Sequence, residues 1–192
     1  VMKMSKTRLY VEKKLSSNVM IYIKNKQQHF LKNVLRIKTQ DNVTIFDGVT
    51  GEWKSKVVSI NRDNIVLQVS EKIRDLKPGS DIWLIFAPIK SLRMNITIQK
   101  ATELGVSRFI PCFTKNTNQS KINIRNLKMN IIEASEQSER VDIPYIDVPV
   151  QLDEVVENFP KDRCLIFCNE NYKNLPIIYN ALIKKIDHYK KW

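Results

Sequence analysis

Apolar and polar residues follow two different patterns along this chain. The first part has the spacing of strands, and helical spacing becomes frequent later. In the first seventy residues the apolar side chains come in short runs rich in β-branched and aromatic residues, which is typical of strands. The runs lie at residues 8–11, 19–23, 43–46, 52–60 and 65–69. One helix is predicted from Gln27, and its apolar side consists of Phe30, Leu31, Val34 and Leu35. Short strands with a single helix indicate a small closed β-barrel.

The chain from residue 82 onward predicts a βαβ unit. Residues 82–86 are an uninterrupted apolar run of strand length, and a second run begins at Phe109. The helix between them has one apolar face, whose members are Met94, Ile98, Ala101 and Leu104. Gly105 suits the left-handed residue that closes a helix, and Val106 is placed to pack back against it. Strand, helix and strand within about thirty residues predict two parallel strands that are covered on both faces.

The α/β alternation continues along the rest of the sequence. We expect helices at residues 122–140, 152–159 and 175–186, and strands at residues 144–150 and 164–168. Prolines limit the first of these strands to a short edge piece, whereas the second has the composition of a buried strand. Pro, Gly and Ser at residues 75–80 mark a boundary between two domains, residues 1–75 and residues 76–192. The expected fold class is α/β, with a small N-terminal β-barrel ahead of a parallel sheet.

Positive charge is concentrated in the first domain. Of the formal net charge of +12, residues 1–78 hold +9, from 16 Lys or Arg and 7 Asp or Glu, while residues 79–192 hold +3, from 16 and 13. Such an excess is typical of a surface that binds a polyanion, and Arg8, Lys32 and Arg36 are the candidates for contact with RNA phosphates. Lys32 and Arg36 would be neighbours on one helix face, where like charges cost a little stability unless an anion lies opposite. Two independent solvated charges are the alternative.

Several classes of protein lack support in the sequence. No apolar run approaches the roughly eighteen residues of a membrane span, and the first ten residues lack a signal-peptide core. We therefore expect a cytoplasmic protein with no membrane contact. Cys112, Cys164 and Cys168 lie in or beside apolar runs without a nearby histidine, so reduced thiols are a better interpretation than a metal site. No dinucleotide fingerprint, P-loop, nucleophile elbow or zinc-protease motif is present.

Candidate functional residues can therefore be inferred only from their positions in the predicted fold. In open α/β sheets, ligands bind beyond the carboxyl ends of parallel strands. Two predicted strands end in polar residues, one at residues 114–116 and the other at residues 169–171. These are either ordinary loops or ligand contacts. Near the end of the helix at residues 122–140, Glu136 and Arg140 are spaced for a surface ion pair worth a few tenths of a kcal/mol. Alternatively, this end of the helix faces a substrate pocket.

Two ungapped motifs resemble a known family. One is Gln-Lys-Ala-Thr-Glu-Leu-Gly-Val at residues 99–106, and the other is Glu-Ala-Ser-Glu-Gln-Ser at residues 133–138, followed by Arg140. Together they resemble the ribosomal RNA small subunit methyltransferase E family of the SPOUT superfamily, over nearly the whole chain. The resemblance implies a PUA-like RNA-binding barrel followed by a SPOUT-type α/β domain of the trefoil-knot family. It also implies S-adenosyl-L-methionine as cofactor, methylation of N3 of a uridine in 16S ribosomal RNA of the small subunit, and a homodimer formed through the knotted domain.

The resemblance also implies roles for particular residues. Methylation of uridine N3 requires the loss of an N–H proton whose pKa lies well above neutral, and an arginine would stabilise the anion or hold an RNA phosphate. We therefore expect Arg140 and Gln137 to be catalytic. Enzymes of the superfamily bind S-adenosylmethionine near the end of the strand predicted at residues 164–168. The expected cofactor contacts are Cys168, Asn169 and Glu170.

One departure from the family pattern limits these expectations. The family's Gly-Pro-Glu-Gly-Gly segment and a later Leu-Gly…Arg-Ile-Leu-Arg…Glu-Thr segment, both in the knot, do not occur among the 192 residues. We expect a methyltransferase domain that is incomplete at its C-terminus, and a chain that could be inactive by itself. The alternative is a non-catalytic RNA-binding module that lacks most of the cofactor pocket. A small-molecule enzyme on the same fold is a weaker alternative, which an absence of RNA affinity would favour.

Overall fold

The computed structural model describes residues 7–77, 79–117, 121–168 and 178–183. The chain divides into two compact units, and each is described by itself. The first consists of residues 1–78 together with residues 131–143, and the second of residues 79–130 and 144–192. The division after residue 78 falls within the Pro, Gly and Ser segment at residues 75–80. That residues 131–143 belong to the first unit was not expected from the sequence.

Five strands of the first unit form one sheet in the order β1-β3-β4-β5-β2. Their bounds are β1 Arg8–Tyr10, β2 Met20–Ile23, β3 Asn42–Phe46, β4 Glu52–Ile60 and β5 Ile65–Arg74. β1 runs parallel to β3, and the other neighbours are antiparallel. This confirms the predicted strand-rich domain, because its apolar side chains form a single core. The fully buried members of that core are Leu31, Val43, Ile45, Val57, Ile65, Leu67 and Val69.

β1 and β2 are the two edge strands of this sheet. In the described part of the chain they do not pair with each other, so strand pairing does not close the predicted barrel. The free edge of β1 is occupied by side chains instead. The Tyr10 N–H donates to Glu136 Oε1 at 2.8 Å, and the Tyr10 carbonyl accepts from Gln27 Nε2 at 2.8 Å. These bonds satisfy the backbone groups that another strand would otherwise need to pair. The strand pattern in the sequence does not show that side chains, and not another strand, pair with this edge.

The first helix begins and ends earlier in the sequence than predicted. α1 spans Asn25–His29 and continues as a single π-helical turn, Phe30–Val34. Arg36 has φ 53°, in the left-handed region that commonly ends a helix. It lies outside the helix, so the prediction that Lys32 and Arg36 share one helix face is wrong. Of the predicted apolar side, only Leu31 is buried.

A buried carboxylate organises the turn between β3 and β4. Asp47 accepts hydrogen bonds from the N–H groups of Leu15, Val49 and Thr50, and from the Thr50 hydroxyl. Burial works against ionisation of this side chain. The hydrogen bonds from Thr50, Leu15 and Val49 outweigh that effect, so the pKa of Asp47 lies below its ordinary value. The turn predicted at residues 47–51 is confirmed.

Gly51 lies just before β4, where the neighbouring backbone leaves no room for a side chain. Its φ is +113°, and a Cβ placed on it would overlap the carbonyl group of Arg74, the last residue of β5. This close approach lets Glu52 lie opposite Arg74 in the strand register. An Oε2 atom of Glu52 is 3.2 Å from Arg74 Nε. The absence of a side chain at Gly51 therefore permits an ion pair one residue further on.

The second unit contains a parallel sheet, as predicted. β6, Trp83–Phe86, and β7, Arg108–Phe113, are parallel neighbours joined by α2, Ser91–Glu103. β7 also pairs in parallel with the two short strands that follow. The remaining elements are α3 Ile124–Gln137, β8 Tyr145–Ile146, β9 Val150–Gln151, α4 Leu152–Glu157 and α5 Ile178–Ile183. The prolines limit the strand predicted at residues 144–150 to these short pieces, while α3 passes from the second unit into the first.

α2 ends as predicted, but its buried face differs from the predicted one. Gly105 has φ 98°, and Val106 is buried behind it, which confirms the closing turn. The buried residues of α2 are Met94, Ile98 and Thr102. Leu104 is 82% exposed, so its assignment to the apolar face is wrong. The buried residues are spaced by four, and Leu104 lies off that line at the C-cap, where the helix has already ended.

The buried strand predicted at residues 164–168 is not formed. These residues have no regular secondary structure, and Leu165, Ile166 and Phe167 are exposed. A strand needs a neighbour with which to pair its backbone groups, and none of the strands in the described ranges pairs with this segment. Of the helix predicted at residues 175–186, the described part is α5, and the remainder lies outside the described residues.

Trp83 at the start of β6 lies against two guanidinium groups. The Cζ atom of Arg163 is 3.7 Å from the centroid of the Trp83 ring, and that of Arg108 is 4.4 Å from it. Arg163 also forms an ion pair with Asp81, and Arg108 donates to both oxygens of Asp147 at 2.8 and 3.1 Å. Cation–π contacts of this kind contribute about 0.5–2 kcal/mol each. They attach the segments on either side of α4 to the first strands of the sheet.

Candidate functional site

A cavity of about 460 Å³ lies at the beginning of α2 and α3, the helices that follow β6 and β7 along the chain. A helix that follows a parallel strand begins at the carboxyl edge of the sheet. The walls of the cavity come from the first turns of α2 and α3 and from the residues just before α3. Its polar lining consists of Ser91, Asn95, Lys121, Asn123 and Asn126. Met94 and Leu127, both buried, form apolar wall. Because ligands of open α/β sheets bind at this edge, the cavity is the candidate ligand site of the second unit.

The chain around this cavity is basic. Residues 79–130 hold eight Lys or Arg and two Asp or Glu, a net charge of +6, and residues 104–132 contain no Asp or Glu. The exposed cations of these stretches include Lys90, Arg93, Lys115, Lys121 and Arg125. Among the described residues, the cavity lining contains Lys121 and no carboxylate, and exposed cations are neighbours of the lining residues in sequence, so the region would attract an anion such as an RNA phosphate. This local excess of positive charge is hidden in the net charge of +3 over residues 79–192, because residues 131–192 carry a net charge of −3.

The motif at residues 133–140 ends α3 with a left-handed residue that is not glycine. α3 finishes at Gln137, and Glu139 has φ 59°. The Arg140 N–H then donates to the Ser135 carbonyl at 3.1 Å, which is the longer bond of a Schellman motif. The helix therefore ends three residues before Arg140, where the sequence pattern predicts its end. The positions of the residues beyond Gln137 therefore follow from this closing turn and not from helical periodicity.

Arg8 donates to three carbonyl groups around this helix end. Its Nη1 atom is 3.2 Å from the Ser135 oxygen and 2.9 Å from the Glu136 oxygen, and its Nη2 atom is 2.8 Å from the Arg140 oxygen. The Arg8 side chain is only 10% exposed. The structure therefore contradicts the predicted contact of Arg8 with RNA phosphates, because its donors bind the chain's own carbonyl groups.

Glu52 links Arg8 to a second arginine at the same helix end. It forms an ion pair with Arg8 through Oε1, and its Oε2 lies 3.2 Å from Arg74 Nε without the geometry of a hydrogen bond. Arg74 Nη2 donates to the Glu139 carbonyl at 2.7 Å. Arg8, Glu52 and Arg74 are termed the guanidinium clamp below. Helix C-termini carry partial negative charge, so two guanidinium groups there are stabilising. Nothing in the sequence indicates that these three distant residues meet.

Glu136 connects the motif to β1. Its carboxylate accepts the Tyr10 N–H at 2.8 Å. Burial raises the pKa of Glu136, and the charge of Glu133 adds to that effect, while the Tyr10 hydrogen bond and the charge of Arg8 oppose it. The side chain is therefore bound to the strand as a structural link.

Arg140 and Gln137, the expected catalytic residues, have different environments. Arg140 donates through Nε and Nη2 to the two oxygens of Asp142, at 3.1 and 2.5 Å, and its side chain is 10% exposed. Gln137 is exposed on the last turn of α3. A carboxylate bound to two N–H groups fixes the plane of the guanidinium group. The ion partner of Arg140 is therefore Asp142, two residues on, and not the Glu136 of the surface-pair interpretation.

The remaining predicted site residues lie on the surface or outside the described ranges. Lys32 and Arg36 are exposed, as contact with a polyanion would require. Cys168 is exposed at the end of the irregular segment 164–168. Asn169 and Glu170 lie outside the described residues. The structure therefore describes one of the three residues expected to contact the cofactor.

The described residues contain neither a candidate metal site nor a candidate membrane span. Within the described ranges, no group of three or more His, Cys, Asp or Glu side chains could hold a metal ion. No helix among the described residues is long and apolar enough to span a bilayer. Burial raises the pKa of the Cys112 thiol, which favours its neutral form.

Lys100 Nζ lies 2.7 Å from a Glu103 carboxylate oxygen, and the two residues form an ion pair on the surface of α2.

Two matches to known families agree with the class that fold and site define. That class is a two-unit α/β protein with a strand-rich basic unit and a basic cavity at the carboxyl edge of a parallel sheet. Residues 23–70 match a family described as an RNA methyltransferase PUA domain. Residues 76–189, more than half of the chain, match a family described as an RNA methyltransferase domain.

Relatives of known name narrow this class. A ribosomal RNA small subunit methyltransferase E from Rickettsia conorii is 29% identical over 171 residues, covering 88% of this chain and 69% of the relative. One from Buchnera aphidicola of Acyrthosiphon pisum is 30% identical over 168 residues, covering 83% and 66%. The chain thus spans about two thirds of the length of these relatives. It belongs to the RNA methyltransferase family, and within that family it is similar to the ribosomal RNA small subunit methyltransferases E.

Solved structures show the same fold. A ribosomal RNA small subunit methyltransferase E from Neisseria gonorrhoeae, bound to S-adenosyl methionine, superposes with a TM-score of 0.78 at 21% identity, covering 86% of this chain and 71% of that one. A methyltransferase from Legionella pneumophila in complex with SAM gives 0.77 at 24% identity, covering 86% and 72%. These likenesses confirm the PUA-like and SPOUT-type fold expected from the sequence.

Proposed function

We propose that this chain acts in the S-adenosylmethionine-dependent methylation of N3 of a uridine in 16S ribosomal RNA of the small subunit. The observation that carries the proposal is the basic cavity at the carboxyl edge of the parallel sheet, in a chain of this family. An RNA phosphate would find cations and amide groups there and no carboxylate from residues 104–132. The proposal includes a cytoplasmic location, where the small subunit is available, and a homodimer.

The proposed reaction replaces the N3–H bond of uridine with a bond from N3 to a methyl carbon. S-adenosylmethionine would supply that methyl group from its sulfonium sulfur, which keeps the electron pair of the broken C–S bond. Before transfer, N3 must lose its proton to solvent or to a base. Arg140 would stabilise the negative charge that then forms on the uracil ring, since Asp142 holds its guanidinium group in one plane. Gln137 would donate its amide N–H to a uracil carbonyl.

The proposed cofactor contacts remain Cys168, Asn169 and Glu170. A backbone edge at this position and the Glu170 carboxylate would bind the ribose or the adenine. Lys32 and Arg36, both exposed, are the proposed RNA contacts of the first unit. Arg8 is no longer among them, because its donors are bound within the chain.

The test measures methyl transfer from labelled S-adenosylmethionine to 16S ribosomal RNA, followed by identification of the modified nucleoside. The expected product is 3-methyluridine. Lys121→Ala removes the cation that lines the cavity and should weaken RNA binding, with a log–log salt slope that is smaller by about 0.7–0.9. Lys161→Ala is the matched control, since Lys161 is exposed and does not line the cavity. RNA binding without any transfer would support the alternative, a non-catalytic RNA-binding module.

A further inference from the structure

The carboxyl end of α3 is held by side chains from the other end of the sequence. The carbonyl groups of Ser135, Glu136 and Arg140 all accept from Arg8, which lies in β1 more than 120 residues earlier. Gln137, one of the two proposed catalytic residues, is the last residue of α3, and Arg140 follows three residues later. The segment that Arg8 binds therefore contains both proposed catalytic residues.

We propose that Arg8 is a positioning residue for the methylation reaction. It fixes the closing turn of α3 and thereby sets the directions in which the Gln137 and Arg140 side chains leave the backbone. This inference rests on the function proposed above, because it assigns Arg8 a task in that reaction. It also replaces the RNA contact expected for Arg8 with an intramolecular one.

The closing turn needs help from outside the helix. Glu139 occupies the left-handed position that glycine usually takes at a helix end, and a residue with a Cβ is strained there. In a Schellman motif the carbonyl at the place of Glu136 accepts from the backbone N–H three residues on. Here that carbonyl accepts from Arg8 Nη1 at 2.9 Å, and the Glu139 carbonyl accepts from Arg74. The turn is thus stabilised by the guanidinium clamp.

The geometry at Arg8 requires a guanidinium group and not merely a positive charge. Its Nε, Nη1 and Nη2 atoms bind Glu52, two helix carbonyls and the Arg140 carbonyl at the same time. Its Cζ atom also lies 4.6 Å from the centroid of the Phe46 ring. A lysine has three donors on one nitrogen and cannot reach partners on opposite sides of a planar fork. Arg8→Lys therefore keeps the charge and removes the clamp.

Amide hydrogen exchange tests the clamp itself. In Arg8→Lys we expect the amide protons of Ser138 and Arg140 to exchange at least about tenfold faster, because these amides form the closing turn. The amides of Ile45 and Val57 in the sheet core should exchange at the wild-type rate. Arg62→Lys is the matched control, an exposed arginine in the turn between β4 and β5. A uniform rise in exchange across core and turn would show a merely structural role, and no rise would show that Arg8 is dispensable; either result overturns the proposal.

Single-turnover methylation tests the link to the reaction. Arg8→Lys should lower the rate of methyl transfer by about a hundredfold, as displacement of catalytic groups does, while the dissociation constant for RNA and its salt slope stay at wild-type values. In the double variant with Arg140→Ala, the combined loss of rate should be smaller than the product of the two single losses, because Arg8 then has only Gln137 left to position. A normal rate, or an additive loss in the double variant, overturns positioning. A weaker RNA affinity with a smaller salt slope would show that Arg8 contacts phosphate after all.

The two measurements also separate this inference from the proposed function. If wild-type protein transfers no methyl group to RNA, the proposed function is overturned, and with it the catalytic task of Arg8. The exchange rates of Ser138 and Arg140 still decide whether Arg8 fixes the helix end. If wild type methylates and Arg8→Lys does so equally well, the proposed function stands and the positioning inference alone is overturned.

Discussion

Gly51 and the carbonyl group of Arg74 face each other so closely that a Cβ on Gly51 would overlap the carbonyl. The approach occurs where β4 begins and β5 ends, and it places Glu52 in register with Arg74. Glu52 also binds Arg8. One glycine therefore allows a carboxylate to bind two arginines, both of which hold the carboxyl end of α3.

Gly51→Ala should lower the free energy of unfolding by about 3 kcal/mol or more. The substitution adds strain at φ +113° to an overlap with backbone that cannot move away easily. Gly105→Ala is the control: its φ is +98°, but nothing lies within 4 Å of the added Cβ, so only strain of about 1–2 kcal/mol is expected. Urea unfolding of both variants measures the difference. Equal losses would contradict the overlap.

Replacement of Asp47 by asparagine should destabilise the protein by about 1–3 kcal/mol at neutral pH, because the amide cannot accept all four hydrogen bonds. The folded pKa of Asp47 is depressed, so its stabilisation is fully present above the unfolded pKa of about 4 and is lost as pH falls through the folded pKa. Unfolding measured between pH 7 and pH 2.5 should show the wild-type advantage shrinking below about pH 4. A constant difference across that range would show that the charge of Asp47 contributes nothing.

Two apolar residues of α2 should differ in their effect on stability. Ile98 is completely buried, so Ile98→Ala should cost about 2–5 kcal/mol through lost burial and a cavity. Leu104 is 82% exposed, and Leu104→Ala should change stability by less than about 0.5 kcal/mol. Thermal or urea unfolding of the two variants decides. A large loss at Leu104 would restore the helix face that the sequence pattern predicts.

Binding of ribosomal RNA should weaken steeply with salt. Several phosphate contacts would give a log–log slope of several units, at about 0.7–0.9 per contact. Arg36→Glu should raise the dissociation constant more than Lys161→Glu, which makes the same change of charge outside the strand-rich unit. Fluorescence titrations at a series of potassium chloride concentrations give both quantities. A flat salt response would contradict RNA binding through phosphates.

In a form of the protein that binds the cofactor, Arg140→Ala should reduce methyl transfer by about two to three orders of magnitude, equivalent to about 2–4 kcal/mol of barrier, while cofactor affinity stays unchanged. Arg140→Lys should restore little, since a lysine cannot bind both oxygens of Asp142 as the planar fork does. Single-turnover rates are to be compared with melting curves of the same samples. A variant that melts early but reacts normally when folded would assign Arg140 a structural role only.

Hydrogen bonds over long sequence distances account for most of the differences between the predicted and the observed site. The motif at residues 133–140 is visible in the sequence, and its family is recognised from it. That its end is bound by Arg8 and Arg74 is not visible, because three residues of unrelated sequence neighbourhoods meet only after the sheet has formed. The reason differs for Arg140: its partner is the nearby Asp142, because Glu139 turns the chain out of the helix and so ends the helical spacing on which the prediction of a Glu136 pair depended.

The elements that depend on local interactions could be predicted from the sequence. These are the strands of the first unit, the βαβ unit, and the turns at residues 47–51 and at Gly105, because periodicity and turn residues act within a few positions. Tertiary structure decided which side chains are buried and which donors are occupied. Leu104 is exposed, the apolar run at residues 164–168 is uncovered, and Arg8 binds carbonyl groups instead of RNA. Burial and pairing require a partner from elsewhere in the chain, and a single stretch of sequence does not identify that partner.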